Sequence, residues 1–206
     1  MKKTLVFASA AVLFLLAAVA FTPLVNPELE IGKPLPNPDT KMMDVSGKEV
    51  SFSDAKGENG LLVMFSCNTC PYVKLSQSRV KELGAFTKEN KVGMILLNSN
   101  EAQRSDDDSF DAMKQYAKDQ GYTFSYVVDK NSVMANAFGA TRTPHCFLFD
   151  KNGKLVYRGA IDDNIKDPND AKEHYLKDAI VAIATGKQVK TNSTKSVGCS
   201  IKRMED

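Results

Sequence analysis

Leu61 to Phe65 is an unbroken apolar run, LLVMF, and Val92 to Leu97 is a second, interrupted only by Gly93. Short continuous runs of this kind have no polar face to offer water, so they predict strands covered on both sides. Between them, Pro71 to about Lys88 places Val73, Val80, Leu83 and Phe86 at helical spacing with charges in between, which predicts one amphipathic helix. Asp106 to Asp108 lead into a helix over Phe110 to Gln120, where acids suit the free N–H groups of a helix start, and Gly121 ends it. Phe124 to Val128 predicts a third strand and Ser132 to Phe138 a short helix. Cys146 to Phe149 and Leu155 to Arg158 flank Asp150-Lys151-Asn152-Gly153, the composition of an antiparallel hairpin turn. Ala171 to Ala184 predicts the last helix, ending near Gly186. Upstream, Met42 to Phe52 carries a turn at Asp44 to Lys48 and predicts a small hairpin. A strand-helix-strand start followed by a helix, a hairpin and a closing helix makes an α/β protein with a mixed sheet covered on both faces.

The ends of the chain differ from this middle. Residues 1 to 20 have a short basic start, an apolar stretch and Ala18-Val19-Ala20, the small-x-small pattern of a signal-peptidase site. They read as an export signal; the alternative is an uncleaved membrane tether through residues 5 to 21, which sit at the short end of the roughly 17 to 25 residues that span a bilayer. With no cysteine before Cys67, a lipid anchor on an N-terminal cysteine is excluded. Residues 21 to 38, with Pro23, Pro27, Pro34, Pro36 and Pro38, form a Pro-rich leader expected to be an extended arm. Residues 39 to 186 form the single domain, and 187 to 206 a polar tail. The net charge is +2, and Lys2 and Lys3 of the signal account for it, so nothing points to nucleic acid or an acidic surface as partner. The expected location is the periplasm or another extracytoplasmic space.

That compartment bears on the four cysteines, because outside the cytoplasm an idle thiol pair tends to become a disulfide. Cys67-Asn68-Thr69-Cys70 stands between the first buried strand and the following helix. A thiolate at a helix start is stabilised by the dipole and by free N–H groups, which makes it a better leaving group and keeps it ionised for attack. A second cysteine one turn on is close enough to bond to it. The ring so closed is tiny and constrains little chain entropy, so exchange chemistry explains the pair better than a structural staple or half a metal site. Cys67 is expected to be the exposed nucleophile and Cys70 the buried resolver. Pro71 complicates that division, since it biases Cys70 out of helical geometry toward the N-cap, where the dipole favours the Cys70 thiolate. Thr143-Pro144 precedes the Cys146 strand, where a cis bond in a tight turn leaves the Thr143 backbone to meet an extended substrate; a plain proline at a strand start is the simpler alternative.

FSCNTCPYVK, then VVDKNSVMANAFGATRTPHCFLFDKNGKLVYRGAIDD, then VGCSIK resemble the redoxin and TlpA-like branch of the thioredoxin superfamily, which includes alkyl hydroperoxide reductase and thiol-specific antioxidant proteins. The element order is also that of a thioredoxin fold. The resemblance spans roughly residues 31 to 201. It implies that Cys67 and Cys70 shuttle electrons and that the Thr143-Pro144 bond is cis. It also implies, for GCSIK as a recurrent ending, a tail that folds back and brings Cys199 to the pair or to Cys146. There are departures. Ser66 stands where thioredoxins carry Trp, and the chain has no Trp. The peroxiredoxin positions for proline and for Thr or Ser before the peroxidatic cysteine hold Val63 and Cys67, and Pro144 replaces the arginine, with Arg142 nearby.

These residues give a leading expectation of an exported thiol-disulfide oxidoreductase without a cofactor. Its partners would be disulfide-containing proteins and a membrane thiol-disulfide electron donor. The alternatives are a thiol peroxidase and a copper or zinc chaperone, the latter using Cys67, Cys70, His145 and Cys199 as a soft ligand set. Cys146 reads as a small buried apolar residue. Cys199 reads as a third redox or ligand cysteine, a bridge to Cys146, or an idle thiol. His174 reads as solvent-facing, and Asp106 to Asp108 and Asp162-Asp163 as caps and turns.

Overall fold

The structure, a computed structural model, describes residues 27 to 204. The expected signal or tether lies outside them, as does the start of the leader. The strands are β1 (Met42–Met43), β2 (Glu49–Val50), β3 (Gly60–Ser66), β4 (Val92–Asn98), β5 (Ser125–Val128), β6 (Arg142–Thr143), β7 (His145–Asp150), β8 (Leu155–Gly159) and β9 (Cys199–Ser200). The α-helices are α1 (Phe52–Ala55), α2 (Pro71–Leu75), α3 (Gln77–Glu89), α4 (Phe110–Gln120), α5 (Val133–Phe138) and α6 (Tyr175–Ala184).

Five strands form the central sheet in the order β5-β4-β3-β7-β8. β3 lies in its middle, parallel to β4 and antiparallel to β7, which explains why every one of its residues is buried. Alternate side chains of β3 feed two cores. Leu62 and Met64 pack with Val80 and Leu83 of α3 and with Leu176 and Ile180 of α6. Leu61, Val63 and Phe65 pack with Phe52, Met134 and Phe138 on the opposite face. Helices thus cover both faces of a mixed sheet, and the architecture is the thioredoxin fold.

Three local departures from the periodicity have physical causes. The helix expected over Pro71 to Lys88 is two, because Ser76 (φ −92°, ψ −2°) turns its hydroxyl back onto the Tyr72 carbonyl at 2.8 Å. The last helix begins at Tyr175 and not at Ala171, because the Asp163 carboxylate takes the Lys172 and Glu173 N–H groups at 2.9 and 3.2 Å. The leader, expected as an arm, is docked along β8 from residue 27 onward: Gly32 N–H donates to Leu155 O at 2.8 Å and Leu155 N–H to Lys33 O at 2.9 Å.

Among the described residues, no helix is long and apolar enough to cross a membrane.

Candidate active site

β3 carries the chain from the middle of the sheet to Cys67, and α2 takes it away from Cys70. Cys70 is the N-cap of α2, extended at φ −62° and ψ 122°, with Pro71 in the first helical position. Proline imposes this: it excludes helical geometry from the residue before it and suits a first turn whose N–H has no partner. Of the two geometries Pro71 left open, the structure has Cys70 at the cap.

The division of exposure between the cysteines is not the expected one. Cys67 and Cys70 are only 1% and 3% exposed. Both are covered, so exposure cannot distinguish an attacking from a resolving sulfur. The Thr143-Pro144 bond is cis, and Thr143 touches both cysteines. Its hydroxyl lies 3.4 Å from Cys67 Sγ, and its carbonyl accepts from the Cys70 thiol at 3.2 Å.

The two sulfurs also interact with each other through a hydrogen bond that moves their acidities in opposite directions. The Cys70 thiol is lowered to about 4, first by the hydrogen bond from Cys67, against its burial, and further by Cys199 and the N–H of Val73. Cys67 is raised correspondingly, first by that same bond and then by burial, with the Asp108 carboxylate adding to it. The Thr143 carbonyl favours the protonated form of Cys70, so the N–H donors and the hydrogen bond from Cys67 must outweigh it for Cys70 to ionise. No disulfide joins any of the four cysteines in this structure.

The loop is held from below by residues that sequence patterning missed. Asp108, fully buried, accepts from Asn68 N–H at 2.8 Å, from Asn98 Nδ2 at 2.7 Å and from Asn100 Nδ2 at 2.8 Å. Tyr126 donates its hydroxyl to Asn68 Oδ1 at 3.0 Å. Asp108 was expected to cap the next helix, but Ser109 does that, accepting from Ala112 N–H at 3.3 Å. The available signal was Asn98-Ser99-Asn100, three polar residues directly after an apolar strand. Asp162 serves its turn, accepting the Asn164 N–H at 3.1 Å, and also takes Arg79 of α3 at 2.8 Å in a buried ion pair.

Cys199 reaches the site from the tail. β9 pairs antiparallel with β6, setting Cys199 opposite Thr143, and Cys199 packs on Cys67, Cys70 and Val73. Cys146 is elsewhere, in the core beside Leu62 and Met64, so the alternative of a Cys146 to Cys199 bridge does not match this arrangement. His145 is not brought to the sulfurs either. Its Nε2 lies 2.7 Å from Glu28 Oε1 and its ring stacks on Phe147 at 4.4 Å. The Glu28 carboxyl is lowered, first by that histidine. Among the described residues, no group of three or more His, Cys, Asp or Glu side chains is arranged to hold a metal ion. The soft-ligand set of Cys67, Cys70, His145 and Cys199 therefore does not form.

The comparisons with known proteins agree with this geometry. The family model for Redoxin matches residues 30 to 175. The thiol-disulfide oxidoreductase ResA of Bacillus thuringiensis (strain Al Hakam) is 29% identical over 160 residues, covering 75% of this chain and 87% of its own length. A solved structure of an uncharacterized conserved protein from Geobacillus kaustophilus superposes with a TM-score of 0.79 at 32% identity, over 86% of this chain and 94% of that one. A hypothetical protein from Sinorhizobium meliloti 1021 does so with a TM-score of 0.78 at 30% identity, over 87% and 97%.

Proposed function

The chain belongs to the redoxin family, and from that premise we propose that it is a thiol-disulfide oxidoreductase that exchanges disulfides with protein partners through Cys67 and Cys70, outside the cytoplasm. The observation that carries this reading is two cysteines packed together at the start of α2, with Thr143 of the cis Thr143-Pro144 bond against both. Export rests on residues 1 to 20 and on no other feature of the chain. A membrane thiol-disulfide donor or acceptor follows from that location, because an exported couple has to be reset.

The lowered Cys70 thiol does more for this sulfur as a leaving group than as an attacker. Moving a thiol from 9.0 to about 4 raises its ionised fraction at neutral pH about 100-fold. Nucleophilicity then falls by roughly the same factor, given a Brønsted slope of about 0.4 to 0.5. These two effects cancel. What remains is that the Cys67–Cys70 disulfide opens readily by attack at Cys67, with Cys70 leaving as the thiolate and Cys67 bonded to the attacking sulfur. In a full turnover, one partner disulfide becomes two thiols while Cys67 and Cys70 lose two protons and two electrons to form their bond; the reverse oxidises a partner dithiol.

The test is an equilibrium titration of the full chain in glutathione redox buffer, with thiols counted and the linked peptides mapped. The expected result is loss of two thiols and a peptide joining Cys67 to Cys70. Oxidised protein in which both remain alkylatable would overturn the reading.

A further inference from the structure

The tail covering the site is built in. Gly198 lies so close to the loop that a Cβ there would stand 2.0 Å from Thr143 O. Arg142 Nη1 donates to Gly198 O at 2.9 Å, Ile201 N–H to Thr141 O at 3.0 Å, and Lys202 N–H to Asn100 Oδ1 at 2.9 Å. Ile201 is buried, and Asn100 is one of the residues that hold Asp108 beneath the Cys67 loop. The tail and the CxxC loop are therefore fastened to one polar network.

This arrangement poses an access problem. Cys67 and Cys70 are covered, whereas Cys199, lying over Cys70 and hydrogen-bonded to it, is half-buried and retains access to solvent. Of the three clustered sulfurs, the outermost is the one in the tail. We propose that Cys199 is a third catalytic cysteine, relaying exchange between the covered Cys67/Cys70 couple and an external thiol or disulfide. This rests on the Cys67/Cys70 reading above.

The steps balance without an added oxidant. Starting from the Cys67–Cys70 disulfide, the Cys199 thiolate attacks Cys70 Sγ; the Cys70–Cys199 bond forms, the Cys67–Cys70 bond breaks, and Cys67 takes up the proton that Cys199 gave. An external thiolate then attacks the accessible Cys199 Sγ, and Cys70 leaves as the thiolate. A second external thiol displaces Cys199 from the mixed disulfide. The external partner ends as a disulfide and the three protein sulfurs end as thiols. The same steps in reverse reduce an external disulfide. Attack at the outer sulfur with the easily ionised inner one leaving is the favourable polarity for exchange.

Two measurements on the full chain decide it. In Cys67→Ser, oxidised with glutathione disulfide, peptide mapping should find Cys70 joined to Cys199. Three free thiols, or glutathione left on Cys70 beside a free Cys199, would overturn the relay. The second measurement is the rate at which glutathione reduces the oxidised protein. A relay predicts at least about tenfold slowing in Cys199→Ala and slowing also in Gly198→Ala, whose methyl group displaces β9 and Cys199 with it, without removing the thiol. A tail that is merely a cover predicts that both variants react faster, and rates equal to the unaltered protein would equally sink the relay. The outcomes separate from the preceding proposal: a Cys67–Cys70 bond in the unaltered protein with no Cys70–Cys199 bond in Cys67→Ser overturns the relay alone, while its absence from the unaltered protein overturns both.

Discussion

Cys70 and Cys146 are nearly equally covered, at 3% and 0% exposed, yet their chemistry is set in opposite directions. Cys146 sits among Leu62, Met64 and Leu148, and burial pushes its thiol up, with Asp162 adding to the effect. Cys70 is also opposed by burial, less deeply than Cys146, and is held down because Cys67, Cys199 and the N–H of Val73 offer it hydrogen bonds. Burial alone makes a cysteine inert. What lowers a buried thiol is a set of donors that stabilise its ionised form, and at Cys70 they come from Cys67, one proline-fixed helix start and one returning tail.

The strongest way to break this contrast is to remove each sulfur in turn. Cys70→Ala should reduce disulfide exchange with a protein substrate by at least about 100-fold, to the background of free thiols, whereas Cys146→Ala should leave it within about twofold. A comparable loss from both would mean that the two environments are not functionally distinct. Next in size is the floor of the site. Asp108→Ala strands three buried N–H donors and should lower the unfolding free energy in urea by roughly 3 kcal/mol. A loss below about 1 kcal/mol would mean that the Asn68, Asn98 and Asn100 contacts are not what holds the loop.

Cys146→Ala should cost less, roughly 1 to 2 kcal/mol, the loss of one small apolar group and the gap it leaves. Most diagnostic is a pH dependence. Cys70 has a lowered value in the folded protein, so the stability it adds grows as pH rises from about 4 toward its ordinary 9.0 and is lost as pH falls through about 4. Above about 9 the raised Cys67 works the other way, since the unfolded chain then ionises more readily than the folded one. The urea midpoint of the reduced protein, minus that of Cys70→Ala, should therefore increase between about pH 5 and about pH 8 and decline beyond about pH 9. A flat difference would show that Cys70 is not lowered in the folded protein.

Much of the fold was legible because its central strands are uninterrupted apolar runs. LLVMF and VGMILL have no alternative to a doubly covered sheet, and Gly121, at φ +64°, ends α4 where a left-handed cap is required. CNTC before Pro71 marked the candidate pair for a similar reason: the spacing places two sulfurs together at a strand-to-helix junction, where the structure has them. What patterning could not supply was long-range pairing. Nothing in Asp106-Asp107-Asp108 distinguishes the one carboxylate that turns inward to Asn68, and the polar pattern of the tail does not announce that Gly198 and Cys199 lie along Thr143; there the return of Cys199 to the pair followed from the resemblance of GCSIK alone. His145 was a reasonable ligand candidate from its position beside Pro144. Yet a strand alternates its faces, so the residue next to the cis bond points to Glu28 and Phe147 and away from the sulfurs.

The account stands on neighbours overriding burial at Cys70, and the direct measurement is a titration of thiolate ultraviolet absorbance in the reduced full chain beside Cys67→Ala and Cys70→Ala. One thiolate should appear well below neutral pH in the unaltered protein. It should vanish from that range in Cys70→Ala and move upward in Cys67→Ala, where the donated proton is missing. An unaltered protein showing no thiolate below about pH 8 would contradict the claim.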